Sequence, residues 1–160
     1  MYTETFQNLS QQKKERIIHA ALTEFSAHPF NEASITNIVK NADISRGSFY
    51  QYFDNKENLY QFLVADLYNK HREDLVHILN DNEGDLYSSL MEFYDYYIDE
   101  IVNSKYFAFY KNTFTYVNHH LIGQNGILNL SDQPTFRKKQ QEQFLKVINI
   151  KNLKAENNME

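Results

Sequence analysis

The stretch "SITNIVKNADISRGSFYQYF", residues Ser34 to Phe53, decides the fold. It reads as two short amphipathic helices joined by a tight turn at Asp43-Ile44, with Ser34 and Ser45 as candidate N-caps. The buried side of the first helix consists of Ile35, Ile38 and Val39. Two short helices on a three- or four-residue turn, packed against a longer preceding helix, form a helix-turn-helix.

The segment before this stretch supplies the longer helix. Residues 10–28 place apolar side chains at 3.6-residue spacing, with Ser10 as a candidate N-cap. The helix is expected to stop before Pro29, because proline restricts the backbone of the residue that precedes it. The apolar face consists of Ile17, Ile18, Ala21, Leu22 and Phe25.

The second short helix has two different sides. Phe49 and Phe53 are four residues apart and share the inward face, where they anchor a helix too short to be stable alone. On the outside, Arg46 can donate hydrogen bonds to a guanine edge, and Gln51 can form hydrogen bonds with an adenine. Gly47 lets the helix approach the groove floor closely, although glycine costs about 1 kcal/mol of helix propensity.

Phosphate contacts complete this predicted surface. Ser48, Tyr50 and Tyr52 carry hydroxyls that can bind phosphate, and Lys56 begins the following helix. The full set of predicted DNA-binding residues is Ser34, Thr36, Lys40, Ser45, Arg46, Gly47, Ser48, Tyr50, Gln51, Tyr52 and Lys56. The pattern alone equally fits an ordinary aromatic-rich helical hairpin whose polar face is merely solvated.

Composition limits the class of protein. The chain of 160 residues has no cysteine, which excludes disulfides, thiolate metal sites and thiol nucleophiles. The formal net charge is -5, but the first 60 residues hold six basic and seven acidic residues, so most of the acidic excess lies later. No stretch approaches the roughly 20 apolar residues of a membrane span. We therefore expect a soluble, cytoplasmic protein without a membrane partner.

The remaining chain also predicts helices, and with them an all-α fold. Helices are expected at about 56–80, 85–103 and 105–121, and a last one from about Pro134. The first of these carries an apolar stripe of Leu59, Leu63, Leu67, His71, Leu75 and Leu79. The inward side of the second is predicted to be Leu86, Leu90, Phe93, Tyr94, Tyr97, Ile98 and Ile101. We assign residues 1–55 to a DNA-binding domain and 56–160 to a helical ligand-binding and dimerisation domain.

The second domain holds the candidate effector site. Aromatic side chains there are expected in an ordinary helical core, but aromatic walls with a few hydroxyls also line pockets for flat apolar ligands. The candidates are His71, Phe93, Tyr94, Tyr97, Phe107, Tyr110 and Phe114. His71, on an apolar stripe, is either a hydrogen-bonded core residue or an axial ligand of haem iron. No cofactor is required, and no metal site is expected unless the ligand is haem.

The run Ser34 to Leu63 resembles the signature of the TetR/AcrR family of bacterial transcriptional repressors. The positions that match are Ser34, Ile38, Ala42, Ser45, Gly47, Tyr50, Phe53, Lys56 and Leu59. The resemblance implies a homodimer that places two recognition helices in successive major grooves of a palindromic operator. It also implies release when a small molecule binds the C-terminal domain. Two positions depart from the pattern: Val39 replaces a small alanine, and Asp43 replaces the turn glycine.

A narrower resemblance concerns the effector. The segment "RGSFYQYF" with a histidine midway along the next helix is similar to haem-responsive members of this family. This resemblance implies haem, or another planar apolar molecule, as an effector.

Other classes of protein fit less well. The chain lacks a His-Glu-x-x-His motif and a phosphate loop, so an enzyme is not expected. A helical protein-protein adaptor would keep the same hydrophobic periodicity, but it has no need for Arg46, Gly47, Ser48 or Lys56. The adaptor remains the alternative to a transcriptional regulator.

Overall fold

The computed structural model describes residues 2–120 and 145–148. Between residues 2 and 120 the chain forms the helices α1 (Glu4–Gln7), α2 (Gln11–Ala27), α3 (Ile35–Asn41), α4 (Arg46–Tyr52), α5 (Lys56–Asp81), α6 (Leu86–Asn103) and α7 (Phe107–His120). The only β-type pairing in the described residues is an isolated bridge between Tyr2 and Phe53. The all-α prediction is confirmed, and the four helices that were predicted with both bounds begin and end within two residues of them. The two short helices α3 and α4 lie within the stretch from Ser34 to Phe53, as expected. The loop predicted after Leu121 and most of the last predicted helix lie outside the described residues.

The described residues divide into two compact units. The first contains residues 2–66 and 103–120, and the second contains residues 67–102 and 145–148. The predicted domain boundary at residue 55 coincides with the start of α5, whereas the compact units divide that helix after Asp66. The functional assignment of the two domains stays a prediction.

The core of the first unit joins the helix-turn-helix to α7. Tyr60 lies with its ring 5.0 Å from that of Phe25 and 5.6 Å from that of Phe109, all three being buried. The Nδ2 atom of Asn112 also donates a hydrogen bond of 3.0 Å to the carbonyl of Phe25. Helix α7 therefore packs on α2, although the sequence predicted that α7 belongs to the second domain.

Helix α1 was not predicted, and it covers one end of α4. Phe6 is 3% exposed, and its ring lies 4.8 Å from that of Phe53 and 5.3 Å from that of Phe62. The N–H of Thr3 donates to the carbonyl of Tyr52 at 3.0 Å. A four-residue helix has no length over which periodicity can be recognised, so only the packing of Phe6 identifies it.

The second unit pairs the later part of α5 with α6. The apolar stripe of α5 is largely as predicted, since His71 and Leu79 are buried. The inward side predicted for α6 was partly wrong, because Leu90, Tyr94 and Ile98 are 44%, 60% and 41% exposed. A helix usually turns one apolar stripe of about 100° toward the core. On α6 the apolar residues cover a wider part of the surface, so the spacing does not identify the buried side.

Candidate nucleic-acid interface and histidine cluster

The start of α4 is fixed by its cap. The side-chain oxygen of Ser45 accepts a hydrogen bond from the N–H of Ser48 at 2.9 Å, and the two hydroxyls also lie 2.9 Å apart. Phe49 and Phe53 are fully buried beneath the helix. Both predictions from the sequence are confirmed, and together they orient the opposite side of α4 toward solvent.

The turn before α4 depends on Asp43. This residue has a φ of 52°, in the left-handed region that aspartate enters more readily than most residues. The N–H of Ile44 then donates to the carbonyl of Val39 at 3.1 Å, which closes the turn against the end of α3. Asp43 thus adopts the left-handed backbone conformation for which the family pattern has a glycine at this position.

An exposed arginine connects the two short helices. Arg46 donates from Nη1 to the hydroxyl of Thr36 at 3.2 Å and from Nη2 to the hydroxyl of Tyr50 at 3.3 Å. Its guanidinium carbon also lies 5.8 Å from the centre of the Tyr50 ring. All three side chains are exposed and all three were predicted DNA contacts. The guanidinium is therefore held in place by neutral hydroxyls that leave its charge uncompensated.

Other predicted residues share this side of the molecule's first unit. We define the recognition face as the exposed residues of the predicted set on α3, α4 and the turn between them: Thr36, Lys40, Ser45, Arg46, Gly47, Tyr50 and Gln51. A Cβ added to Gly47 would meet only the Ser45 hydroxyl, at 3.7 Å, which is ordinary contact. No packing within the described chain requires a glycine there, so its function has to be sought outside the chain.

Tyr52 does not belong to this face, and its prediction as an exposed DNA contact was wrong. The residue is 4% exposed, with its ring 6.2 Å from that of Phe6 and the Lys13 ammonium 5.6 Å from its centre. The reason is α1, which the sequence analysis missed and which covers the end of α4.

Lys56 has a structural contact that the sequence did not indicate. Its ammonium donates to the carbonyl of Ala33 at 2.8 Å and to that of Asn31 at 3.3 Å, and it lies 4.8 Å from the centre of the Phe30 ring. The side chain ties the loop before α3 to the start of α5. Its contact with a phosphate stays a prediction.

A second cluster of polar side chains lies between α5 and α6 in the second unit. Nδ1 of the buried His71 lies 3.6 Å from Oε2 of Glu100 and 3.9 Å from Oδ2 of Asp74. Lys70 donates a short hydrogen bond to Oε1 of Glu100, and the Tyr96 hydroxyl donates to Asp74 at 3.1 Å. We call these five residues the histidine cluster.

The protonation of the cluster follows from burial and hydrogen bonds. Burial lowers the pKa of His71, against the attraction of the nearby carboxylates, and favours the neutral imidazole. Burial acts to raise the pKa of Glu100, but hydrogen bonds from Lys70 and Tyr96 outweigh it and leave that pKa below its ordinary value. A hydrogen bond to Glu100, together with burial, raises the pKa of Tyr96.

Two family models match most of the chain. The model described as "Bacterial regulatory proteins, tetR family" matches residues 17–62, which include α3, α4 and the recognition face. The model described as "Tetracyclin repressor-like, C-terminal domain" matches residues 85–160. The chain belongs to the TetR family. This is a family of transcriptional regulators and not of enzymes.

Individual relatives are similar over shorter stretches. The HTH-type transcriptional regulator YdgC of Bacillus subtilis (strain 168) is 36% identical over 39% of this chain and 32% of its own length. The biofilm operon icaADBC HTH-type negative transcriptional regulator IcaR of Staphylococcus epidermidis is 32% identical over 50% of this chain and 44% of its own. The HTH-type transcriptional regulator UidR of Escherichia coli (strain K12) is 32% identical over 66% of this chain and 50% of its own. The chain thus spans between a third and a half of these curated relatives.

The predicted effector residues of this TetR-family chain are divided between the two compact units. His71, Phe93, Tyr94 and Tyr97 belong to the second unit, whereas Phe107, Tyr110 and Phe114 belong to the first. Tyr94, Phe107 and Phe114 are 60%, 45% and 51% exposed, so they are not core residues of their units, and their contact with a ligand stays a prediction. Their sequence spacing could not show which side of a mostly apolar helix a neighbour covers.

Three of the predicted effector residues do pack together. The Tyr97 ring stands edge-on to the His71 ring, with 4.6 Å between the ring centres. The Phe93 ring stacks on the Tyr97 ring at 5.5 Å, with 17° between the planes. Burial raises the pKa of Tyr97. This aromatic group borders the histidine cluster.

Sequence reasoning missed one buried acid beneath the recognition face. Glu24 is 5% exposed, and its Oε1 accepts hydrogen bonds from the N–H of Ser34 at 2.8 Å and from Nδ2 of Asn37 at 3.2 Å. Ser34 is the N-cap residue of α3 as predicted, but its side chain makes no cap hydrogen bond. The carboxylate serves the helix N-terminus better, because a negative charge there is favoured by the helix dipole. The sequence signal that could have identified this contact is the acidic residue Glu24 on the inward face of α2.

Proposed function

We propose that this TetR-family protein binds double-stranded operator DNA through its recognition face and regulates transcription. The observation that carries the proposal is the arrangement of Arg46 between Thr36 and Tyr50 on the exposed side of α3 and α4. A guanidinium has five N–H donors, and two of them are used in these contacts. The others can form a bidentate contact with a guanine edge in a major groove.

The proposed active form is a homodimer on a palindromic operator. One short recognition helix makes too few base contacts to select a site, and two copies reach successive major grooves when they are about 34 Å apart. A two-fold protein axis then matches the two-fold symmetry of the operator. We expect the dimer interface to come from residues after position 105, and the protein to act in the cytoplasm, where its operator is.

We propose repression as the sign of regulation. The relative IcaR is named a negative regulator, which supports this choice by similarity. An operator-bound dimer blocks transcription until a small molecule bound to the C-terminal helices favours another conformation.

Fluorescence anisotropy with labelled DNA from upstream of the protein's own gene tests this function. We expect nanomolar to micromolar binding, far weaker binding to random DNA, and affinity that falls steeply as salt rises. Light scattering at micromolar concentration should give the mass of a dimer. A helical adaptor, the alternative class, would bind neither the upstream DNA nor the random DNA, even at low salt. A monomer bound to DNA would contradict the proposed dimeric complex with the operator.

For the effector we propose a planar apolar molecule, with haem as the example to test. The support is a buried histidine next to the stacked Phe93 and Tyr97 rings. Haem bound through His71 should give a Soret band that changes in His71→Ala and should weaken operator binding. Identical spectra of the two proteins would exclude His71 as the axial ligand and leave the DNA-binding proposal intact.

A further inference from the structure

We propose that His71, Asp74 and Glu100 form a binding site for a divalent transition-metal cation such as Zn²⁺. One ligand atom from each residue can be chosen so that all three lie within 4.8 Å of one another. This proposal concerns the second unit alone, and it holds or fails independently of the DNA-binding function.

The position of the three residues in the fold brings the ligands together. His71 and Asp74 are three residues apart on α5, so they lie on the same side of that helix. Glu100 comes from the facing side of α6, and its Oε2 is excluded from solvent without a hydrogen-bond partner. The ligands are thus carried by two helices, which fix their positions better than loops do.

The distances are close to those of a bound cation. Zinc binds imidazole nitrogen and carboxylate oxygen at about 2.0–2.2 Å, which places tetrahedral ligand atoms about 3.4 Å apart. The observed separations from Nδ1 of His71 are 3.6 Å to Glu100 and 3.9 Å to Asp74. Small changes in side-chain rotation are enough to bring the three atoms around one ion, and a water completes the coordination.

The chemistry of the ligands favours a transition metal. Imidazole nitrogen suits zinc, copper, iron and nickel, whereas magnesium and calcium prefer sites made of oxygen alone. Two carboxylates supply the charge that compensates a divalent cation. The Tyr96 hydroxyl, which donates to Asp74, is placed to hold that carboxylate in the orientation for binding.

Lys70 is the competitor for this site. Its ammonium pairs with Glu100, so without metal the lysine supplies the positive charge that this carboxylate faces. A bound cation has to displace or tolerate that charge. This predicts an unusual result, since removing a cationic side chain next to the ligands should strengthen metal binding.

The experiment is a titration of the DNA-free protein with Zn²⁺ by calorimetry, and with Co²⁺ by its visible absorption bands. We expect one site per chain, unaffected by millimolar Mg²⁺. Glu100→Gln and Asp74→Asn should each weaken binding at least about tenfold, and Lys70→Met should tighten it about fivefold. Circular dichroism verifies that each variant is folded.

Two matched controls come from the same helices. His77→Ala removes an exposed histidine of α5, and Asp95→Asn removes an exposed acid of α6, so both should bind metal as the parent does. Loss of binding in His77→Ala but not in His71→Ala would assign the metal to the surface and overturn the proposal. Absence of Zn²⁺ and Co²⁺ binding in both the parent and Lys70→Met would also overturn it and leave the cluster a purely electrostatic network.

The same titration separates the cation from haem. A cation bound at His71 produces no Soret band, and saturating Zn²⁺ should reduce haem binding if both use this histidine. If Glu100→Gln loses metal binding but binds haem as the parent does, Glu100 is a ligand of the metal and is not needed for haem. Operator binding measured with and without Zn²⁺ then tells whether the site controls DNA affinity.

Discussion

The recognition face and the histidine cluster both join a cation to polar groups across two helices, but they treat its charge differently. On the recognition face, Arg46 is held by the neutral hydroxyls of Thr36 and Tyr50 and stays exposed. In the histidine cluster, Lys70 pairs with Glu100 beside a buried imidazole. The first arrangement keeps positive charge available for a polyanion, and the second compensates charge within the protein.

This difference lies in the partners of the two cations, because Arg46 and Lys70 are both exposed but only Lys70 contacts a carboxylate. A guanidinium in water keeps its full attraction for phosphates and bases, and neutral partners orient it without cancelling its charge. Glu100 is partly buried beside the imidazole, and a charge that is partly removed from water is more costly when it is left unpaired. The same classes of side chain therefore favour a large outside partner in one place and a small ion in the other.

The largest effect is expected from the buried acid under the recognition face. Glu24→Ala removes the acceptor of two hydrogen bonds at the start of α3 and should lower the free energy of unfolding by about 2–3 kcal/mol. Chemical denaturation measures it. Glu15→Ala removes an exposed acid of the same helix and should change little. Equal effects would mean that the loss comes from overall charge and not from the cap.

Arg46→Ala tests whether the recognition face reads bases. We expect a loss of about 1–3 kcal/mol on the operator and a smaller loss on random DNA. Lys105→Ala, which removes an exposed cation of the first unit that lies outside the recognition face, is the matched control for charge. Anisotropy titrations on both DNAs give the four affinities. Similar losses for the two DNAs would reduce Arg46 to a phosphate contact.

Gly47→Ala separates the stability of α4 from its function. The new Cβ meets only Ser45 Oγ at 3.7 Å, so the helix should gain about 0.5–1 kcal/mol in unfolding free energy. The same methyl should weaken operator binding if the backbone approaches the groove floor. A more stable protein with unchanged affinity would show that close approach at this position is not needed.

The smallest effect is expected from the histidine cluster as pH falls. The folded-state pKa of His71 is lowered by burial, so the unfolded chain binds more protons below the ordinary pKa of about 6.5. Stability should therefore decline as pH drops from 7 through that range, with Lys70, Asp74 and Glu100 setting how far. His71→Asn should flatten this decline in denaturation midpoints taken at pH 7.5, 6.5 and 5.5. An equal slope in both proteins would exclude His71 as its source.

Much of the candidate DNA interface could be predicted because its signals are local. The cap at Ser45, the left-handed turn at Asp43 and the buried pair Phe49 and Phe53 each depend on residues within a few positions. The position of Tyr52 could not be predicted in the same way. Its burial depends on Phe6, which is far away in sequence.

The effector residues show the limit more strongly. On α6, apolar side chains occupy more than one side, so periodicity does not identify the buried one, and Tyr94 and Ile98 are exposed while Phe93 and Tyr97 pack inward. The pairing of His71 with Glu100 joins residues of two helices and has no signature in either alone.

The sequence by itself determined most of the helices, the cap at Ser45, the turn at Asp43, and the pattern that placed the chain in its family, because these depend on neighbours along the chain. The tertiary structure alone decided that Tyr52 is covered, that Glu24 caps α3, that Lys56 binds two loop carbonyls, and that His71 faces two carboxylates. Each of these depends on which surfaces meet when helices pack. Packing selects one side of each helix through contacts between residues distant in sequence, and local periodicity carries no record of that choice.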